Sequence, residues 1–106
     1  MNQVFRALAD PTRRRVLQLL RERPRTAGEL AAAFPVSKPT MSAHFSVLQE
    51  AGLIAAERNG RTILYRLRMS VLEEALMGFV HSLEGPKRAV ARRRRGDVKR
   101  RAWEGA

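Results

Sequence analysis

The 106-residue chain contains no cysteine. Disulfides, thiolate metal sites and thiol redox switches are excluded together, although this absence says little about compartment. Acid is scarce: ten Asp and Glu face 21 Lys and Arg, for a formal net charge of +11. No window approaches the roughly 18 apolar residues that a membrane span needs. The opening MNQVFRALADP lacks the apolar run of a secretory signal. No membrane insertion and a cytoplasmic location are the expectations. There is also no Gly-rich phosphate loop, no His–carboxylate cluster and too little length for a large cavity. Enzymatic chemistry therefore has no visible machinery, and no cofactor is expected.

What is present is unevenly placed. Residues 85–106 hold nine of the 21 basic residues and two of the ten acidic ones, Asp97 and Glu104. They carry +7 of the +11, leaving +4 on residues 1–84. Such a balance points to a polyanionic partner. Gly85-Pro86 marks the boundary between one domain, 1–84, and a basic tail, 85–106. In the tail only Val90, Val98 and Trp103 are larger apolar groups, so disorder is expected there in isolation. With 44% hydrophobic residues the domain can bury a core, though a small one that association would help.

Helical spacing and punctuation divide the domain. Asn2 to Ala9 reads as a short helix with Val4, Phe5 and Leu8 on one face. Asp10 caps a second helix, Pro11 to Glu22, with Pro11 at its first position and Val16, Leu17 and Leu20 as its stripe. Thr26-Ala27-Gly28-Glu29 is a capping box opening a short helix to about Ala33. Ser37 caps the next helix, about Lys38 to Ala51, and Gly52 ends it. On a wheel, Met41, Phe45 and Leu48 of this helix point one way. Pro39, Ser42, Ala43, Ser46 and Glu50 point the other, and His44 lies on the flank. Leu53 to Arg58 and Arg61 to Arg68 read as strands joined by Asn59-Gly60, a strong short hairpin signal. Ser70 then caps a last helix, Val71 to about Leu83. Its apolar residues Val71, Leu72, Ala75, Leu76, Phe79, Val80 and Leu83 cover more than one face, which predicts a second subunit.

A short helix, a tight turn and a longer helix starting with small polar residues make a helix-turn-helix. A hairpin directly after it is a wing. The fold class is mainly α with a two-stranded β-hairpin wing, a winged helix-turn-helix in the order α-α-α-α-β-β-α, dimeric. An α-helix fits the major groove of double-stranded DNA, and short side chains let its backbone approach phosphates and base edges. Its start also carries partial positive charge and free N–H groups. The wing tip, Arg58-Asn59-Gly60-Arg61, places two Arg beside a bare turn, within reach of phosphates or the minor groove.

The segments ALADPTRRRVLQLL, TAGELA, SKPTMSAHFSVLQEAGLI and the hairpin ending in YRL resemble the ArsR/SmtB family of bacterial winged-helix repressors. Within it they resemble most the SdpR-type autorepressors. The likeness spans about residues 3 to 83. It implies a repressor, in the autorepressor case of its own gene, acting as a homodimer joined through the first and last helices. Val4, Phe5 and Leu8 would then join Leu72, Ala75, Leu76, Phe79, Val80 and Leu83 in the interface. It places Lys38, Pro39, Ser42 and Ala43 on DNA, with Thr40 and His44 beside them and Ser46 on the same strip. Arg58, Asn59 and Arg61 become backbone contacts. Many members of the family sense metal through paired cysteines in the helix that here reads GELAAAF. This chain has Ala31, Ala32 and Ala33 there, and its last helix offers only His81 with Glu73, Glu74 and Glu84. That is a poor zinc set, so no metal is expected.

Several residues keep two readings. His44 is either a structural group at the core edge or a DNA contact. Arg13-Arg14-Arg15 oppose the dipole of their own helix start, which leaves a phosphate partner or a solvated face. The tail is a solvated extension, an arm on DNA or a segment that folds on a protein partner. Two other functions follow from those choices: a weakly specific nucleoid-associated DNA-binding protein, or a regulator captured by a protein through the last helix or the tail.

Overall fold

The computed structural model describes residues 2–85. Its elements are α1 (Asn2–Leu8), α2 (Pro11–Glu22), β1 (Arg25–Thr26), α3 (Ala27–Ala32), α4 (Lys38–Glu50), β2 (Ile54–Asn59), β3 (Thr62–Leu67) and α5 (Met69–Glu84). The basic tail and its expected boundary partner Pro86 lie outside the described residues. Residues up to Ala75 form one compact unit, and a second begins at Leu76, within α5.

Local chemistry sets the helix starts. The Asp10 carboxylate accepts from the backbone N–H groups of Thr12 at 2.7 Å and Arg13 at 3.2 Å, and Pro11 follows where its missing N–H has no consequence. Slight desolvation would raise the Asp10 pKa. The two backbone donors, His44 and Arg13 outweigh it and hold the carboxyl below its ordinary 3.8. Thr26 and Glu29 form the expected reciprocal box at 3.0 and 2.8 Å. The Thr26 backbone donor is the main reason the Glu29 carboxyl is held low.

The core gathers Val4, Ala7, Val16, Leu17, Leu20, Leu30, Met41, Phe45, Leu48, Leu53, Ile54, Tyr65 and Ala75. Met41, Phe45 and Leu48 lie inward on α4 as their spacing predicts, and the Phe45 and Tyr65 rings meet at a centroid distance of 4.9 Å. Val4 and Ala75, expected between subunits, are core residues of the single chain, so their surface is spent inside it.

Three boundaries differ from the sequence reading. The wing is not purely two-stranded: β1 pairs antiparallel with β3, giving a sheet of order β1-β3-β2. The two-residue β1 sits between Pro24 and a capping box, too short to show any alternation. The hairpin turn is displaced by one residue. Asn59 remains in the ladder opposite Thr62, and Gly60, at φ 62°, takes the first central position of the turn. Both primed hairpin turns require positive φ there, which glycine adopts without strain. Finally, α5 starts before Ser70, which is its second residue and not its cap.

Gly52, at φ 78°, ends α4 as a left-handed C′ residue. Its N–H bonds to the Gln49 carbonyl at 2.9 Å, and the Leu53 N–H to the Leu48 carbonyl at 3.0 Å. The same Leu53 carbonyl accepts from Arg68 at 2.8 Å, closing the base of the hairpin.

Candidate nucleic-acid interface

The helix-turn-helix runs from α3 through residues 33–37 into α4. With Met41, Phe45 and Leu48 inward, the opposite face of α4 is open. Lys38, Pro39, Thr40, Ser42, Ala43 and Ser46 are all exposed. Apart from Lys38, the one charge among them, these side chains are short. A solvated helix face normally carries paired Glu and Lys, which this one does not. Groove-facing helices need small groups so that the backbone can come close to base edges.

The start of α4 is less open than its sequence suggests. The Ser37 hydroxyl accepts the Thr40 N–H at 3.3 Å and also donates to Thr40 Oγ1 at 2.9 Å. Pro39 has no N–H. The backbone donors expected for phosphate are thus largely used or missing, and Lys38 carries most of the attraction to an anion. The N-cap in turn fixes the Thr40 hydroxyl as an acceptor from Ser37, so toward a ligand Thr40 can donate its own proton.

Arg58, Asn59 and Arg61 are exposed at the wing tip. Behind the tip Arg66 pairs with Glu57 across the two strands at 3.3 Å, both half-exposed. That pair is worth little in stability but leaves Arg58 and Arg61 as the cations nearest the turn. All of these elements, α3, α4 and the wing, belong to the unit that ends at Ala75.

The three successive arginines of α2 do not act alike. The Arg13 Nε donates to the Ala7 carbonyl at 2.8 Å, and its Nη2 to the Arg6 carbonyl at 3.1 Å. Arg14 donates to the Leu8 carbonyl at 2.7 Å. These carbonyls lie in the last turn of α1, and although that of Arg6 also accepts the Ala9 N–H at 3.2 Å, the two side chains close that helix. Arg15 reaches Gln18 at 3.1 Å. Arg13 and Arg14 thus take a capping role that the sequence reading did not include. Arg25 does the same for α2, donating to the Leu19 carbonyl at 3.0 Å while paired with Glu22 at 2.6 Å.

Arg13 has one further partner. Its Nη1 lies 3.2 Å from His44 Nδ1. This half-buried contact joins α2 to α4 across a separation of 31 residues and has no signature in the sequence. It settles where the flanking imidazole sits: against Arg13, at the margin of the exposed strip.

On the last helix, Leu76 is 42% exposed, Phe79 45%, Val80 44% and Leu83 70%, while Leu72 is half-buried against the core. Phe5 and Leu8 of α1 are half-buried too. Among the described residues no three His, Cys, Asp or Glu side chains converge as a metal site, and no helix is long and apolar enough to cross a membrane.

Comparison with known proteins agrees with this fold. Residues 8–57 match a family described as a helix-turn-helix domain. The transcriptional repressor SdpR of Bacillus subtilis is 43% identical over 76 residues, spanning 72% of this chain and 84% of its own. The crystal structure of an ArsR family transcriptional regulator superposes with a TM-score of 0.72 at 32% identity, covering 78% of this chain and 91% of that one. A Mycobacterium bovis protein, solved as a homodimeric winged helix-turn-helix DNA-binding domain and described as a possible ArsR-family regulator, gives 0.63 at 30% identity, with 78% of each chain covered.

Proposed function

Because this chain belongs to the ArsR family of DNA-binding transcriptional regulators, which are not enzymes, we propose that it is a repressor that binds an inverted-repeat operator as a homodimer. The observation that carries this reading is the exposed strip on α4. Six residues from Lys38 to Ser46, short apart from Lys38, are open and backed by a buried face. In the proposed complex α4 lies in a major groove, Lys38, Thr40, Ser42 and Ser46 face base edges or phosphates, and Pro39 and Ala43 allow close approach. Arg58, Asn59 and Arg61 hold the backbone beside it. The second subunit docks through the exposed apolar side chains of α5, with Phe5 and Leu8 of α1 adding to the contact. Two copies of α4 then enter successive major grooves, with half-site centres about 10–11 base pairs apart. Repression follows from covering promoter DNA, and the promoter of the chain's own gene is one target this reading predicts. Association with the nucleoid follows from DNA binding.

Selection of bound duplexes from a random pool, followed by footprinting, tests the reading. Two protected half-sites of related sequence, one helical turn apart and related by inversion, are expected. Protection without any preferred sequence would replace this reading by the second one, a weakly specific DNA-coating protein. The concentration of +7 in residues 85–106 favours that alternative.

A further inference from the structure

The contact between Arg13 and His44 determines which hydrogen bond the histidine can offer. An arginine guanidinium has five N–H donors and no acceptor, and it stays charged. Facing Arg13 Nη1 at 3.2 Å, His44 Nδ1 can act only as the acceptor. The imidazole proton then resides on Nε2. Arg13 is itself held in place, because its Nε and Nη2 are bound to the Ala7 and Arg6 carbonyls. His44 is half-buried beside the exposed Ala43 and one turn beyond the exposed Thr40. Among the described residues its Nε2 has no hydrogen-bond partner.

We infer that Arg13 is a positioning residue that presets His44 as an Nε2–H donor aimed at an acceptor atom on DNA. This rests on the reading that α4 faces the duplex. The acceptor is a phosphate oxygen or a base acceptor such as guanine N7 or O6 or thymine O4. The exocyclic amines of adenine and cytosine are refused, because two donors would face each other. A histidine free to change tautomer would accept either kind of group, so the guanidinium behind it confers selectivity without touching DNA. The same guanidinium also closes α1, so the end of α1 and the histidine of α4 are set by one side chain.

The test begins with the unmodified full-length chain. Nitrogen-15 spectra of its imidazoles above pH 7 should show His44 with a protonated Nε2 and an unprotonated Nδ1. A proton on Nδ1, or averaging between the two forms, overturns the inference whatever the chain does with DNA. In Arg13→Met the same spectrum should show averaging, a change that a purely structural role would not produce. Binding is then measured on a duplex selected by the wild-type chain. Arg13→Met should weaken binding roughly tenfold, the size of one hydrogen bond to a charged or strongly accepting group. In a His44→Ala background the same change should weaken it less than about twofold. Equal losses in both backgrounds would make Arg13 merely structural. His44→Gln, whose amide reaches the Nε2 position, should keep most of the affinity, and His44→Asn, which mimics Nδ1, should lose it. The reverse order sinks the proposal. Methylphosphonate and 7-deazaguanine substitutions in the duplex separate a phosphate from a base acceptor, and if neither abolishes the His44 effect the proposal is refuted. If no duplex is selected at all, the DNA reading fails while the spectra still decide the tautomer.

Discussion

Helices α4 and α5 are of similar length, 13 and 16 residues, and each leaves one face uncovered. The uncovered faces differ in kind. That of α4 carries Lys38, Pro39, Thr40, Ser42, Ala43 and Ser46, with Gln49 and Glu50 at its end; that of α5 includes Leu76, Met77, Phe79, Val80 and Leu83. Water tolerates the first at little cost. It disfavours the second by about 25 cal/mol for each Å² of apolar surface left exposed. An open apolar face asks for another apolar face, and an open face of small polar groups asks for a surface that must be approached closely. One helix is thus suited to protein and the other to a nucleic-acid groove.

The largest effect should come from changing the apolar face. Leu76→Glu with Phe79→Glu should give monomers by sedimentation, and operator affinity should fall by about a hundredfold or more once the two half-sites are no longer bound together. A dimer that survives would show that α5 is uncovered for another reason. Next is the polar face: Ser42→Glu should lower affinity by roughly a hundredfold through repulsion from phosphates, with unfolding unchanged because Ser42 is exposed. Retained gel-shift affinity would mean that another surface faces DNA. The inner face of the same helix should respond in the opposite manner. Met41, 1% exposed, when changed to Ala should cost about 2–4 kcal/mol of stability in denaturant unfolding, while the folded fraction still selects the same sequence.

The smallest effect lies at a helix start that touches neither face. Asp10→Ala removes the cap of α2 and should cost about 1 kcal/mol at pH 7. The Asp10 carboxyl is depressed in the folded chain, so its contribution is present above the unfolded value near 4 and is lost as pH falls through the lower folded value. Thermal melts of wild type and Asp10→Ala should therefore converge as the pH falls below about 4. A gap that persists at low pH would mean that the cap acts without its charge.

Much of this fold was legible because its signals are local. Asp10-Pro11, Thr26 with Glu29, and Ser37 each mark a helix start through bonds spanning two or three residues, and those bonds are present. The 3.6-residue spacing of Met41, Phe45 and Leu48 oriented α4 correctly. The wing was legible in outline, but its turn slipped by a residue, since Asn and Gly both favour positive φ and only packing chooses between registers. What stayed hidden depends on distance along the chain. The pairing of Arg25 with Tyr65, the closure of α1 by Arg13 and Arg14, and the reach of Arg13 to His44 arise only after folding. Three arginines in a row look the same in sequence whether they hold phosphate or carbonyls. At the site, the exposure of Pro39, Ser42, Ala43 and Ser46 was readable from the wheel, whereas the direction of the His44 proton was not.

Leu53 has a mechanical consequence. Its N–H is bound to the last turn of α4, its carbonyl to the strand leaving the wing, and its side chain is fully enclosed. Helix and hairpin are accordingly tied together at this residue, beside the left-handed Gly52, and again where Phe45 meets Tyr65. In the proposed complex both elements arrive at a duplex as a single unit whose opening is chosen before any encounter. Little ordering entropy then remains to be lost on contact. That complex predicts that a duplex whose groove is too wide or too narrow for that gap is rejected by shape before any base is read.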